Sequence, residues 1–314
     1  MVAPRDAQLF SEQNFAFAQA NQDALLGLMD RASGADPAVG AAARGEGVPV
    51  GVWGRADGSL LDAGDPFHAS GAGLETGADI ALGSAGRVGA ALGYENINLS
   101  DSEGGSASQQ AFRAGLYGSQ WAGSVVFSAA VSYAHAWDKT ERAGGVGLSD
   151  ASRGSDAVFG GVQAAAPLSL DGVSLTPAAG VLVSNVSGGA FNETDAKFAA
   201  FAVHGDSTSV TTAAPFAQVS LSHAFTTRDG VEVTPNLLVG YRHDSAADTG
   251  GVTLVSEDGT VFAGNRLGLD PNTAQLGAGI SAHKDGLTAF VRYRATVASD
   301  WHDQTLTAGL RWSF

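Results

Sequence analysis

Seven histidines are the candidate bases of this 314-residue chain, which contains no cysteine. A hydrolase would need a nucleophile, a base and an orienting group within reach of one another. The sequence has no Gly-x-Ser-x-Gly turn, and no two histidines have the spacing of a metal site. The histidines are scattered instead, at His68, His135, His204, His223, His243, His283 and His302. The sequence therefore favours a protein that is not an enzyme and that holds no metal or other cofactor.

Arginine and carboxylate side chains recur at alternate positions of many segments. The other residues at those positions are mostly glycine, serine and threonine, and lysine is almost absent. This mixture suits a confined, water-filled lumen in which arginines pair with carboxylates across a barrel. The predicted lumen-facing network comprises Arg55, Asp57, Glu75, Asp79, Arg87, Glu95, Arg113, Glu232, Arg242, Arg292, Arg294 and Arg311.

The segments that would carry these charges follow a period of two from Val48 to Phe314, which is typical of β-strands. About twelve such segments occur, each near the ~9–11 residues that a tilted membrane strand needs. In the last one, apolar residues alternate with Thr307, Gly309, Arg311 and Ser313; they are Leu306, Ala308, Leu310, Trp312 and Phe314. Aromatic residues near the predicted strand ends fit interfacial girdles; they are Trp121, Trp137, Tyr241, Trp301 and Trp312.

The connections between the segments alternate in length. Turns such as SLDG and KDG are short, whereas NLSDSEGGSAS, DKTERAGGVGLSDASRG and the stretches 187–207 and 244–272 read as long loops. Short turns at one end and long loops at the other are typical of outer-membrane barrels. Within the last stretch, VTLVSEDGTVFA predicts an extra hairpin whose arms are too short to cross a membrane.

Alternation alone is also compatible with a soluble β-sandwich. A sandwich would expose its polar face to water and tolerate many lysines and glutamates, which these segments lack. A closed barrel satisfies every backbone group without leaving a sheet edge. We therefore predict an all-β fold, an antiparallel outer-membrane β-barrel of about twelve strands over residues 48–314. No run of ~18 apolar residues predicts a membrane helix, and the net charge of −15 without a basic cluster argues against a nucleic-acid partner.

Residues 1–47 form a separate predicted unit, a helix over about 11–32 followed by the linker GADPAVGAAARGEG. Ser11 or Asn14 is expected to cap the helix, and Gly34 to end it. A barrel of ~12 strands is wide enough for one helix, so we predict the helix inside the pore. Arg31 could then pair with Glu75 or Asp79, and lumen groups could bind Gln13, Asn14, Gln19, Asn21 and Gln22. A helix packed outside the barrel is the alternative.

A helix, a linker, about twelve strands and a terminal Phe together resemble the translocator domain of autotransporters, the type V secretion proteins of Gram-negative bacteria. GVWGRADG, LETGADIAL, FRAGLYGSQW, VTPNLLVGYRHD and LTAGLRWSF resemble the first, second, fourth, ninth and last strands of that family. The resemblance implies a barrel in the cell outer membrane that secretes or displays an N-terminal passenger and anchors it, with the helix plugging the pore.

The resemblance also implies partners. They are outer-membrane lipid and lipopolysaccharide, the barrel-assembly machinery, periplasmic chaperones and the chain's own passenger, around a monomeric barrel. The last strand, ending at Phe314, would be the signal that the assembly machinery reads. Met1 is not followed by a signal peptide, so the resemblance implies a longer precursor whose signal peptide and passenger precede this chain.

Some family members cut their own passenger when an Asn of the helix cyclises with the help of lumenal carboxylates. Asn14 and Asn21 are the candidates here, and Asp79 or Glu75 could assist. The family's paired-Asn motif is replaced by QANQDALL, which weakens this assignment. A porin or an outer-membrane hydrolase shares the barrel and remains an alternative. A porin, however, has no reason to carry a polar helix long enough to span its own pore.

Overall fold

Twelve long antiparallel strands and one helix account for most of the computed structural model, which describes residues 8–34, 50–83, 86–143, 148–194, 202–248, 251–263 and 267–314. The predicted linker after Gly34 lies outside the described residues. The helix is α1, Leu9–Ser33. The barrel strands are β1 Val50–Asp62, β2 Phe67–Ala81, β3 Gly86–Asp101, β4 Ser106–Ala122, β5 Val125–Ala143, β6 Leu148–Ala165, β7 Val173–Gly188, β8 Thr208–His223, β9 Glu232–His243, β10 Asn272–Lys284, β11 Leu287–Val297 and β12 His302–Ser313.

Each strand pairs with its neighbours along the chain, and the last pairs with the first. The β1–β12 register runs from Gly51 opposite Ser313 to Asp62 opposite His302. This pairing closes the sheet into a barrel and removes its edges, which a sheet in lipid requires. The prediction of an antiparallel barrel of about twelve strands is confirmed.

The period of two places apolar side chains on the outer face of the barrel. Leu74 and Leu310 are exposed there, at 65% and 56% of their surface, whereas Arg311 beside Leu310 is buried inside. Leu306, Ala308, Trp312 and Phe314 share the outer face with Leu310. The outer face is therefore apolar and the inner face polar, as in a barrel that meets lipid.

The short turns gather at one rim of the barrel. Asp171–Gly172 and Asp285–Gly286 both adopt positive φ, with 46° and 84° in the first pair and 49° and 80° in the second. Two successive positive φ angles define the type I′ turn, whose twist matches that of the flanking strands. Asp-Gly is favoured there because Gly adopts this conformation without steric cost.

The first two predicted long loops are mostly strand. In NLSDSEGGSAS, Asn98 pairs with Ser108 and Ser100 with Ser106. In DKTERAGGVGLSDASRG, the ladder between β5 and β6 continues from Asp138 opposite Arg153 to Ala143 opposite Leu148. The loop prediction was wrong because these extensions lack the apolar alternation of the rest of the strand, whereas their inward polar residues, such as Asp138 and Arg142, are buried and paired. β5 thus reaches 19 residues and projects beyond the apolar band.

The two later loops remain long and build a small second sheet at the opposite rim from the short turns. It comprises Phe191–Asn192, Val203–Gly205, Thr253–Ser256 and Val261–Ala263. The last two segments pair as an antiparallel hairpin, which confirms the extra hairpin predicted in VTLVSEDGTVFA. Three further short elements are Leu168–Leu170, which pairs with β7, Phe225–Thr226, which pairs with β9, and the 3₁₀ turn Ser245–Asp248.

The helix lies within the barrel, where it contacts the six strands from β2 to β7. Gly34 ends it in the left-handed conformation at φ 74°, as predicted. The expectation that Ser11 or Asn14 caps it is wrong. The N-cap is Gln8, which makes no side-chain capping bond, and the Asn14 carboxamide binds the barrel wall instead. No helix in the described part of the chain combines the length and the apolar character needed to cross a bilayer.

One predicted girdle residue is not at the outer surface. Trp301 is 2% exposed, and its ring meets Phe15 of α1 edge-on at 5.1 Å between ring centroids. Its indole N–H donates to the carbonyl of Asp270 at 2.9 Å. A Trp at a strand end thus turned inward because α1 offers it an aromatic partner. Trp137, Tyr241 and Trp312 do face outward.

Candidate functional site

The amide side chains of α1 all bind the barrel wall or the loop that follows β9. Arg153 donates to the Gln13 and Asn14 carbonyl oxygens at 3.1 and 2.9 Å, and Arg113 donates to the Asn21 oxygen at 2.8 Å. Gln19 and Gln22 both donate to the Asp244 carboxylate, at 2.6 and 3.3 Å. Because amides are costly to bury without partners, these bonds explain a helix that is polar and yet buried on nearly every side.

Asp79 on β2 is the centre of the short-turn end of the lumen. It accepts from Arg31 of α1 at 3.0 Å, from Arg87 of β3 at 2.7 Å and from Arg311 of β12 at 3.2 Å. The Tyr117 hydroxyl donates to it at 3.1 Å and accepts from the Trp53 indole at 2.8 Å. The predicted pairing of Arg31 with Asp79 is therefore confirmed; the Arg31 guanidinium also lies over the Trp53 ring, 4.4 Å from its centroid.

Two further wall pairs lie at the middle of α1. Glu75 pairs with Arg55 rather than with Arg31, and Glu95 accepts from Arg113 at 2.6 Å. A cavity of about 60 Å³ lies beside these pairs and is lined by them, by α1 and by β12. Its acidic lining residues outnumber Arg55 and Arg113; they are Asp23, Asp57, Glu75, Glu95 and Asp303. Such a polar cavity is large enough for water, which the polar groups would hold.

The opposite wall binds the carboxylates of α1, which the sequence reasoning missed. Arg294 of β11 pairs with Asp30 at 3.1 Å, and Arg242 of β9 pairs with Asp23 at 3.3 Å. Arg242 also donates to the Gln19 oxygen at 2.5 Å. Asp30 and Asp23 are seven residues apart, two turns of the helix, and this spacing was the signal that could have revealed them. Glu232 of β9 and Arg292 of β11 also occupy inward positions, but they are only half-buried.

The long-loop end has an ion network that lay within a predicted loop. Arg153 pairs with Asp138 at 3.3 Å, and Asp138 also accepts from Gln109 and Ser155 at 2.8 and 2.5 Å. Arg142 binds Glu193 through two nitrogens, at 2.6 and 2.7 Å. Extending the alternation of β5 beyond Trp137 would have identified these inward positions.

Aromatic contacts hold the first turns of α1 at the same end. The Phe10 ring stacks on Phe191 of the small sheet at 4.3 Å between centroids, and the Arg153 guanidinium lies 5.4 Å from the Phe10 ring. The N-terminal end of α1 is thus at the long-loop rim, whereas Arg31 and Ser33 are at the short-turn rim. The helix runs along the whole lumen.

The self-cleavage candidates are far from one of their proposed helpers. Asn21 binds Arg113 and donates from Nδ2 to the carbonyl of Phe17 at 2.8 Å. Asp79 binds Arg31, ten residues further along the helix, a distance of about 15 Å along the axis. Asn14 is further still from Asp79. The carboxylate that Asn21 reaches through Arg113 is Glu95. The described residues contain no group of three or more side chains arranged to hold a metal ion.

A family model and two solved structures match this architecture. The model, described as the autotransporter beta-domain, matches residues 52–294. The translocator domain of the autotransporter NalP from Neisseria meningitidis is similar with a TM-score of 0.74 at 18% identity, covering 98% of this chain and 100% of that chain. The beta domain of the Bordetella autotransporter BrkA is similar with a TM-score of 0.66 at 17% identity, covering 85% and 100%. No curated protein matches the chain.

The two structures are too distant in sequence to indicate more than the fold. The family model is more specific, because it spans most of the chain, from the third residue of β1 into β11. The matched family is one of translocator domains and not a family of enzymes. The chain belongs to the autotransporter beta-domain family.

Proposed function

We propose that this chain is the translocator domain that carries an N-terminal passenger across the outer membrane of a Gram-negative bacterium and anchors it, with α1 plugging the pore. The observation that supports this most is the path of α1. Its first turns contact the long-loop end through Phe10 and Phe191, and its last turn contacts the short-turn end through Arg31 and Asp79. A segment N-terminal to α1 would therefore join the barrel at the long-loop rim.

The outer face supports a membrane location. Large apolar side chains such as Leu116, Val239 and Leu306 are exposed over more than half of their surface. A continuous apolar surface of this kind is rare on soluble monomers and would meet lipid at little cost. We further propose that lipopolysaccharide, periplasmic chaperones and the barrel-assembly machinery are partners of a monomeric barrel.

The test is a display experiment. A signal peptide and a small reporter domain are joined in front of residue 1, and the fusion is expressed in a Gram-negative cell. We expect added protease to remove the reporter from intact cells while the barrel stays in the outer-membrane fraction. The control fusion lacks residues 48–314, and its reporter should remain protected.

A protected reporter on a barrel that is folded in the outer membrane would contradict the proposal. Folding is checked independently, because a folded outer-membrane barrel migrates differently in gel electrophoresis with and without heating. This check separates failure of transport from failure of the fusion to fold.

A further inference from the structure

The cluster around Asp79 has more hydrogen-bond donors than its carboxylate can accept. An ionised carboxylate offers about four lone-pair positions. Asp79 accepts from Arg31, Arg87, Arg311 and Tyr117, so these four donors occupy the available positions. The Tyr117 oxygen is already bound by the Trp53 indole. The cluster therefore has no acceptor left for its other N–H groups.

Each of the three arginines retains a buried nitrogen without an acceptor among the described residues. These atoms are Nη2 of Arg31, Nη2 of Arg87 and Nε of Arg311. All three side chains are nine-tenths buried or more, at 3%, 2% and 3% exposure of the residue. Leaving a buried donor of a charged group unpaired is costly. Each guanidinium is a rigid planar fork fixed to Asp79 through another nitrogen, so the three unpaired nitrogens belong to forks that all meet at this one carboxylate.

The net charge of the cluster is positive, which is a second reason to expect a ligand there. Three arginines face one carboxylate, which leaves two positive charges in excess. The negative end of the α1 dipole offsets only about half a charge. An excess of this size at a buried site favours an anion.

We propose that Arg31, Arg87 and Arg311 form a binding site for a phosphate-class oxyanion at the short-turn end of the lumen. A phosphate group has about two negative charges near neutral pH and three strong acceptor oxygens. It therefore matches both the charge excess and the three unpaired donors. Because Arg31 belongs to α1 and the other two arginines belong to the wall, the bound anion would hold the last turn of the helix against β3 and β12.

The phosphate could come from solution or from a lipid headgroup. Arg87 is the second residue of β3 and Arg311 the third from the end of β12, so both lie close to the rim. Free phosphate enters through the rim, whereas a headgroup reaches the site only from lipid beside it. The test has one arm for each source.

The experiment follows the thermal unfolding of the folded full-length chain. In phosphate-free detergent, sodium phosphate is titrated against sodium chloride of equal ionic strength. In parallel, the chain is inserted into vesicles that contain phosphatidic acid, whose headgroup is a phosphate monoester, or into vesicles of phosphatidylcholine alone. We expect a higher unfolding temperature with phosphate than with chloride if the ligand is free phosphate. A rise only in the vesicles that contain phosphatidic acid assigns the site to a headgroup.

Variants decide whether the effect belongs to the cluster. Arg87→Gln should weaken the binding of phosphate about tenfold or more, because it removes one charge-assisted hydrogen bond. Arg311→Gln serves as a second variant if Arg87→Gln does not fold. Arg228→Gln is the matched control, since Arg228 is an exposed arginine in a turn at the same rim, and it should leave the effect unchanged. An equal effect of chloride, no effect in either arm, or full binding by Arg87→Gln overturns the proposal.

Discussion

Gly77 and Asp79, two inward positions of β2, show how single residues organise the short-turn end. A Cβ atom on Gly77 would lie 2.5 Å from the carbonyl oxygen of Ala90 and 2.5 Å from Cζ2 of Trp53. The absence of a side chain there lets the Trp53 indole lie flat on the wall and reach Tyr117. The Gly-x-Asp step in LETGADIAL thus has a packing role at its first position and an ion-pairing role at its second.

We expect Gly77→Ala to lower the free energy of unfolding by about 1–3 kcal/mol, because the added methyl group overpacks a rigid site. The measurement is urea unfolding of the barrel in detergent micelles. Gly93→Ala is the matched control, since Gly93 also faces inward but a Cβ there would come no nearer than 3.5 Å to any atom. Equal stability of the two variants would contradict this role of Gly77.

Asp258 gives a pH prediction in the loop hairpin, outside the barrel wall. Hydrogen bonds from the Ser256 side chain and from Thr260 lower the pKa of Asp258 from its ordinary value of 3.8 to about 2. A lowered pKa stabilises the hairpin above the ordinary pKa, and this stabilisation is lost as the pH falls through the folded value. Hydrogen exchange at the Thr260 amide should therefore accelerate between about pH 4 and pH 2.

The matched variant for this prediction is Asp258→Asn, which cannot titrate. Its exchange at Thr260, corrected for the intrinsic pH dependence, should show no step in the same range. A step of equal size in Asp258→Asn would assign the titration to another group.

At the scale of elements, α1 illustrates the limit of pattern reading. Its apolar residues do recur at helical spacing, and its bounds of Leu9–Ser33 are close to the predicted 11–32. Helical spacing alone does not say whether the polar side of a helix meets water. The barrel encloses α1, so its polar side is buried as well. An enclosed helix needs a hydrogen-bond partner for every amide, and Arg153, Arg113 and Asp244 provide them.

The last strand carries the prediction for assembly. The Phe314 side chain is 66% exposed and meets Trp312 edge-on, while its backbone N–H and carbonyl both bond to Val50 at 3.1 Å. Phe314→Ala keeps the backbone bonds, so it should cost the inserted barrel little stability. We expect it to lower the yield of folded barrel in the outer membrane more strongly, if the terminal Phe is read during assembly.

The yield is measured from the heat-resistant band in membrane fractions, and stability from unfolding of the purified barrel. Leu237→Ala is the matched control, because Leu237 is a similarly exposed outward residue of β9. If Phe314→Ala lowered the yield only as much as it lowered the stability, Phe314 would contribute packing to the barrel and have no separate role in assembly.

At the scale of the whole molecule, ion pairs between α1 and the barrel strands determine how the helix is oriented in the lumen. Arg31 of α1 faces Asp79 on β2, while Asp30 faces Arg294 on β11. Neighbouring helix residues of opposite charge thus meet walls of opposite charge, which favours one rotation of the helix. Polar contacts at both ends and the middle then hold a cylinder of about 10–12 Å diameter in the pore.

We therefore expect low conductance when the intact chain is placed in a planar bilayer. Deletion of residues 1–46 should raise the conductance strongly, because it removes the helix and leaves the twelve strands. The deletion variant must first show the heat-dependent gel shift of a folded barrel. High conductance of the intact chain would contradict plugging by the helix and would favour a porin.

The period-two alternation was sufficient to predict the barrel and the approximate number of its strands, and the helical spacing of apolar residues was sufficient to predict the helix. Whether a strand residue points inward or outward is a local property, because successive side chains point to opposite faces of the sheet. The loops were predicted less well, since polar strand extensions such as 138–143 lack the apolar signal. Two partners were proposed for Arg31, Glu75 and Asp79. The alternation could not distinguish them, because both side chains point into the lumen.

Only the tertiary structure decided which charges meet. The register between strands and the rotation of α1 decide that Arg31 pairs with Asp79 and that three arginines meet at this carboxylate. They also decide that Trp301 turns inward. These are set by contacts between residues far apart in the chain, which no local pattern records. The sequence by itself determined which residues face the lumen and which face outward, because that division is made residue by residue along each strand.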